Sequence, residues 1–240
     1  MPNSQPNHGH VAVMEPEAHG PELVHQFSDV QQQKNAASLG MWLFLVTEIM
    51  FFGGMFCAYL IYRLEYFNAF AAGSQQLSIK MGAINTAVLI ISSVTVVLAV
   101  KAAEAGKRKL LVGYLVVTVL LGLTFLVVKG FEYREKFEKH HVPGSTFSFT
   151  DKFDDNGKQY SVNSKEAELF FSLYFVMTGM HALHMIIGCG LFTVLAILAW
   201  KGHYTPAYFT PIENSGLYWH LVDIIWIYLF PLLYLISRHS

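Results

Sequence analysis

Charge is scarce in this sequence. Asp, Glu, Lys and Arg make up 14% of its 240 residues, where a soluble domain carries about 25%. A water-facing surface cannot be covered on that supply unless the apolar residues are scattered, and they are not. Cysteine is nearly absent. Cys57 and Cys189 each fall inside an apolar run, and there is no CxxC, so a disulfide framework and a dithiol redox motif are both excluded in favour of buried packing thiols. No Gly-rich phosphate loop, GxSxG elbow, Rossmann fingerprint or HExxH occurs, which leaves no soluble-enzyme signature. The net charge is −1 and the basic residues form no long patch, so nucleic acid is not an expected partner. The first twenty residues, MPNSQPNHGHVAVMEPEAHG, contain neither an apolar leader core nor a myristoylation start.

What is abundant is apolar length. Hydrophobic residues make up 53% and the mean hydropathy is +0.39. Five runs, 39–61, 81–100, 110–128, 169–200 and 215–237, are long enough to cross a bilayer, which takes about 20 residues of helix. The expected fold is all-α, an integral membrane bundle of five transmembrane helices over 37–240. The fourth run would extend ~48 Å as a helix, beyond a hydrocarbon core of about 30 Å. It must tilt, project or kink near Gly188 and Gly190, and Pro231 should bend the fifth. Residues 1–36, with four prolines and four histidines, read as a mobile tail or an arm laid on a partner. The histidines at 8, 10, 19 and 25 fit no compact metal-ligand set. The short loop KAAEAGKRK (101–109) holds four cations, which places it and the N-terminus in the cytoplasm and the C-terminus outside. In the long third loop, STFSFTDKFDDNGKQYSV (145–162) alternates around Asn156-Gly157. That is a β-hairpin signal, read either as a partner-docking element or as a surface ornament.

Ionisable residues inside membrane runs are expensive and therefore functional candidates. Glu48 lies among Phe44, Leu45, Phe51 and Phe52 at helical spacing. An apolar setting disfavours a charged carboxylate. A neutral acid there can donate and accept hydrogen bonds. Two readings stand: a carboxyl that locks one helix to another, or a proton-carrying or regulatory site. His181 and His184 share one helix face, and His220 and Asp223 repeat the spacing. The latter two could bond each other or reach the first pair. Three histidines in a bundle are also a haem or copper possibility, though no other metal signature accompanies them. Lys129 and Glu132, in VVKGFEY (127–133), read as the edge of the third span, with Lys129 snorkelling to the surface. Trp42, Tyr59, Tyr62, Tyr114, Tyr218 and Trp219 are candidates for interfacial belts or, the preferred reading, for packing.

Five segments, in order, carry a resemblance. They are GMWLFLVTEIMFFGGMFCAY (40–59), INTAVLIISSVTVVLA (84–99), VVKGFEY (127–133), YFVMTGMHALHMIIG (174–188) and ENSGLYWHLVDIIWIYLF (213–230). The chain resembles subunit III of the haem–copper terminal oxidases, in the short five-span bacterial form. The resemblance implies an accessory subunit of a proton-translocating respiratory oxidase that reduces oxygen to water, in a bacterial inner membrane. It implies no catalytic residue, metal or redox centre in this chain, with haems and copper in partner subunits I and II. It further implies bound phospholipid, a link to oxygen access and proton uptake, and a carbodiimide-reactive carboxyl at the position of Glu48. On this reading His181, His184, His220, Asp223, Glu132 and Glu213 form a polar network, and Arg63, Lys201, Trp42 and Trp219 are lipid-binding candidates. The 140–165 loop and the tail are left for contacts in a larger respiratory assembly. Cytochrome c is the expected electron donor; a quinol oxidase and the related accessory subunit of nitric oxide reductases are the alternatives. Lys129 departs from the family, whose members often carry a neutral amide there. Outside the family, a proton-coupled transporter using Glu48 and Asp223, or a membrane haem protein using the three histidines, are the rivals.

Overall fold

The computed structural model describes residues 27–138, 142–144, 147, 163–206 and 208–236. Within them the chain forms six helices: α1 (Val30–Glu65), α2 (Phe67–Gln75), α3 (Ile79–Glu104), α4 (Arg108–Glu138), α5 (Ser164–Lys201) and α6 (Thr210–Tyr234). Five of them, all but α2, are long and apolar enough to cross a membrane. A lipid core leaves every backbone N–H and C=O to be satisfied inside the segment, which only a helix or a closed barrel achieves.

Local chemistry sets the ends. Asp29 caps α1, its side chain accepting from the Gln32 amide at 2.6 Å, so the helix begins inside the stretch expected to be tail. Ser78 and Asn163 cap α3 and α5 in the same way. Gly106 (φ 68°) and Gly202 (φ 84°) close α3 and α5 in the left-handed region. Lys107 N–H donates to the Ala102 carbonyl at 2.9 Å, and His203 N–H to that of Leu198 at 3.1 Å, the bonding of a glycine-terminated helix. α5 runs uninterrupted for 38 residues, ~57 Å, so it tilts or outlasts the hydrocarbon core. It is not broken at Gly188 or Gly190.

Helices α3 to α6 make the body of the molecule. α6 is the most buried of the spans, packing one side, from Ile212 to Tyr234, against α3, α5 and α1. α1 is different. It buries only Leu45, Phe52 and Tyr59, seven residues apart, so a single narrow seam holds a helix that is otherwise open to its surroundings. At one end of the seam the Tyr59 hydroxyl donates to the Leu232 carbonyl at 2.9 Å. That carbonyl lies in the last turn of α6, where no intrahelical donor is left for it. Tyr59→Phe is therefore expected to cost ~1 kcal/mol and to raise hydrogen exchange in the last turn of α6; unchanged exchange there would show the bond carries no weight.

Between the first two spans α2 folds, with Ala69, Phe70, Ala71, Ala72, Gly73 and Ser74 all buried. Its glycine is fixed by the Phe170 ring, which a Cβ at Gly73 would run into. A run of small residues pressed against α5 reads as a loop by composition alone. The hairpin expected over 145–162 lies outside the described residues apart from Phe147, as does the tail up to Gln26. Among the described residues there is no strand, only an isolated bridge between Thr205 and Tyr208.

Candidate functional site

Glu48 sits three residues after Leu45 on α1 and so falls on the seam. His184 of α5 faces it, Nε2 to Oε2 3.1 Å, with side chains 12% and 19% exposed for His184 and Glu48. The other ring nitrogen, Nδ1, lies 2.8 Å from the Met180 carbonyl. A carbonyl only accepts, so Nδ1 carries a proton. The Glu48 contact then holds one further proton. Either a neutral acid donates to a neutral imidazole, or an imidazolium donates to a carboxylate. Both states are neutral overall, which is how a carboxyl is accommodated here. Phe52 packs edge-on to the His184 ring at 5.3 Å, and the Tyr218 hydroxyl donates to the His184 carbonyl at 2.9 Å.

The other intramembrane residues do not converge on this pair. His220 meets Ser93 of α3 instead, Nδ1 to Oγ 2.7 Å. Neither His181 nitrogen and neither Asp223 oxygen has a hydrogen-bond partner among the described residues, although both side chains are buried. His181 is packed between rings, 5.3 Å from Phe125 and 5.2 Å from Trp226. Of the two arrangements open to His220 and Asp223, bonding to each other or reaching the His181–His184 pair, neither occurs among the described residues. Glu213 is exposed in the first turn of α6. It stands about 15 Å along the helix from Asp223 and belongs to no buried network.

A second cluster was misread from sequence. Lys129 is not a snorkelling residue at a span's edge. α4 continues to Glu138, and the Lys129 and Glu132 side chains are only 4% and 1% exposed, joined at 3.1 Å. Tyr174 and Tyr234 complete the group. Their hydroxyls donate to Glu132 Oε1 at 2.8 and 2.6 Å, and Lys129 Nζ donates to the same hydroxyls at 3.2 and 2.9 Å. The ammonium also stands 5.0 Å from the centre of the Trp226 ring and 5.1 Å from that of Tyr174, within cation–π range. With its donors met inside, Lys129 has no need to reach water. The i,i+3 spacing of Lys129 and Glu132 was a readable signal; the tyrosines from α5 and α6 were not. One turn on from Glu132, buried Lys136 donates to the Gln76 carbonyl at the end of α2.

The lipid-binding candidates divide. Trp42 is 58% exposed, and Arg63 and Lys201 lie in the last turns of α1 and α5. Trp219 is fully buried. Its indole N–H donates to Ser92 Oγ at 2.9 Å, and its ring fills the space left by Gly122 and Gly188. It is a core residue and not a lipid contact. Tyr59 is likewise fully buried. Among the described residues no three of His, Cys, Asp or Glu are grouped so as to hold a metal ion.

The family model described as cytochrome c oxidase subunit III matches residues 24–155 and 158–238. A cytochrome c oxidase subunit 3 of Corynebacterium diphtheriae is 32% identical over 205 residues, covering 85% of this chain and 89% of that protein. A probable cytochrome c oxidase subunit 3 of Nocardia farcinica is 32% identical over 202 residues, 84% of this chain and 89% of its own length. The Gallus gallus cytochrome c oxidase subunit 3 is 31% identical over 208 residues, 81% of this chain and 67% of the relative.

Proposed function

The chain belongs to the cytochrome c oxidase subunit III family, and on that premise we propose that it is the accessory membrane subunit of a bacterial cytochrome c oxidase. It packs beside subunit I and steadies it, holds phospholipid, and supports oxygen access and proton uptake. The haems and copper belong to subunits I and II. The chain lies in the inner membrane with its N-terminus cytoplasmic, a placement supported by the four cations of 101–109.

The observation that carries the reading is the Glu48–His184 contact on the only seam α1 makes. A carboxyl that shares a proton with an imidazole is structural and protonic at once. It joins α1 to α5, and it can pass or hold one proton without leaving a net charge in the membrane. The outer face of α1, with Leu43, Val46 and Met50 exposed, is free for lipid or for subunit I.

Two measurements test this. Purification in mild detergent should bring subunits I and II with it, and the absorption spectrum of haem; a colourless chain without partners would overturn the assignment. Within the complex, Glu48→Gln should assemble and endure turnover as wild type does, because the amide N–H can donate to Nε2. Glu48→Leu leaves that nitrogen unpaired at a cost of ~1–3 kcal/mol and should shorten the number of turnovers before inactivation. Equal endurance of the Leu variant would remove the structural role, and slowed proton uptake in a well-assembled Gln variant would add the protonic one.

A further inference from the structure

Six polar atoms inside the α3–α6 body have no hydrogen-bond partner among the described residues. They are Asn85 Oδ1 and Nδ2, His181 Nδ1 and Nε2, and both carboxyl oxygens of Asp223. The three side chains come from α3, α5 and α6 and are 0%, 0% and 2% exposed. They lie at one level. The bonds from Trp219 to Ser92 and from Trp226 to Thr86 run α3 and α6 past each other in opposite directions. Asp223 stands between the two tryptophans on α6, and Asn85 adjoins Thr86 on α3. His181 packs on the Trp226 ring at 5.2 Å. Phe125 of α4 closes the remaining side, 5.3 Å from the His181 ring and 4.8 Å from that of Trp226.

The neighbouring donors are already committed. The indole N–H groups go to Ser92 and Thr86, and His220 is joined to Ser93. All three ammonium protons of Lys129 are taken, by Glu132, Tyr174 and Tyr234. Leaving polar groups unpaired inside a bundle is expensive, and a carboxylate with no cation bonded to it is the worst case. A protonated Asp223 avoids that charge but needs an acceptor for its O–H and a donor for its other oxygen. Asn85 and His181 likewise each need both kinds of partner. Water offers both from one atom, and an internal water takes about three such bonds. An apolar guest would leave all six atoms unpaired.

We propose that Asn85, His181 and Asp223 form a binding site for water, a small cluster enclosed by α3, α4, α5 and α6, with Asp223 held as the neutral acid. The site lies within the α3–α6 body and owes nothing to α1, so it does not rest on the reading of the Glu48–His184 contact.

The test is radiolytic hydroxyl labelling of the purified wild-type complex. Radiation splits water where it is bound, and the radical marks the nearest side chains. Phe125 and Trp226 should be hydroxylated well above Phe192, which is just as buried but stands ~16 Å further along α5 from His181. In Asn85→Leu with Asp223→Leu, labelling of both rings should fall to the Phe192 level. Labelling no higher than that in the wild type would show a dry core and overturn the proposal, whether or not the variant assembles. Unchanged labelling in an assembled variant would overturn it too, by tracing the radical to bulk water. Infrared spectra decide the proton. Asp223→Asn, nearly the same in shape, should remove a protonated-carboxyl stretch that moves in heavy water, and an unaltered spectrum would overturn the neutral acid. No outcome bears on the oxidase assignment, which is read from the haem and the copurified subunits.

Discussion

Lys129→Met is expected to remove about 3–5 kcal/mol of stability, because it strands the Glu132 carboxylate in the bundle without its cation. Glu132 would keep the hydroxyl donors of Tyr174 and Tyr234, but two neutral donors do not replace an ammonium at 3.1 Å. The loss should be seen as a lower midpoint of thermal unfolding in detergent and as reduced subunit abundance in the membrane. The diagnostic variant is the double one. Lys129→Met with Glu132→Gln removes both charges and keeps an oxygen for the tyrosines, so most of the loss should return, leaving a deficit under about 2 kcal/mol. A double variant as damaged as the single one would mean that Lys129 acts through its packing on Trp226 and not through Glu132.

Gly188→Val should be nearly as damaging for a steric reason. A Cβ at Gly188 would stand 2.8 Å from the Trp219 ring, and one at Gly122 would meet it from the other side at 2.9 Å. The ring cannot retreat. Phe192 packs against it with centroids 4.9 Å apart, and its N–H is bonded to Ser92 on a third helix. The cost should lie near the top of the ~1–3 kcal/mol range for overpacking, or above it. Combining Gly188→Val with Trp219→Leu should recover part of it by vacating the ring's space. Failure of that rescue would point to backbone contact between α5 and α6 as the constraint instead of the indole.

Neither Lys129 nor Trp219 was legible in the sequence, whereas the spans and Glu48 were. The five spans were legible because twenty apolar residues in a row have one physical meaning, and Glu48 was legible because a carboxylate in such a row is costly. Its partner was not assigned: His184 stood only among the intramembrane histidines, without a link to Glu48. Nothing along the chain selects His184 over His181: both are on the inner side of α5, and the choice depends on which one looks toward α1. Lys129 was misjudged because the apolar run stops at Val128, which reads as the span's edge, and only the arrival of hydroxyls from α5 and α6 makes burial the better state. Trp219 was placed among lipid contacts because interfacial and core tryptophans have the same neighbours in sequence; the glycines that admit it come from other helices. α2 was missed because its nine residues are too few to register as a span and its alanines, glycine and serine read as loop.

The seam of α1 has a consequence for how the protein is made. Glu48 and His184 are separated by 136 positions, and Tyr59 and Leu232 by 173. At a synthesis rate of about 5–20 residues per second, roughly 7 to 27 s pass between the emergence of Glu48 and that of its partner. During that interval α1 is held in the bilayer by its own hydropathy, with an acidic side chain that nothing in the nascent chain can yet answer. Membrane insertion of the first span must therefore tolerate this residue unaided. The last two helices to be synthesised are the ones that fasten the first, so a ribosome stalled before His184 would release a chain with its leading helix adrift.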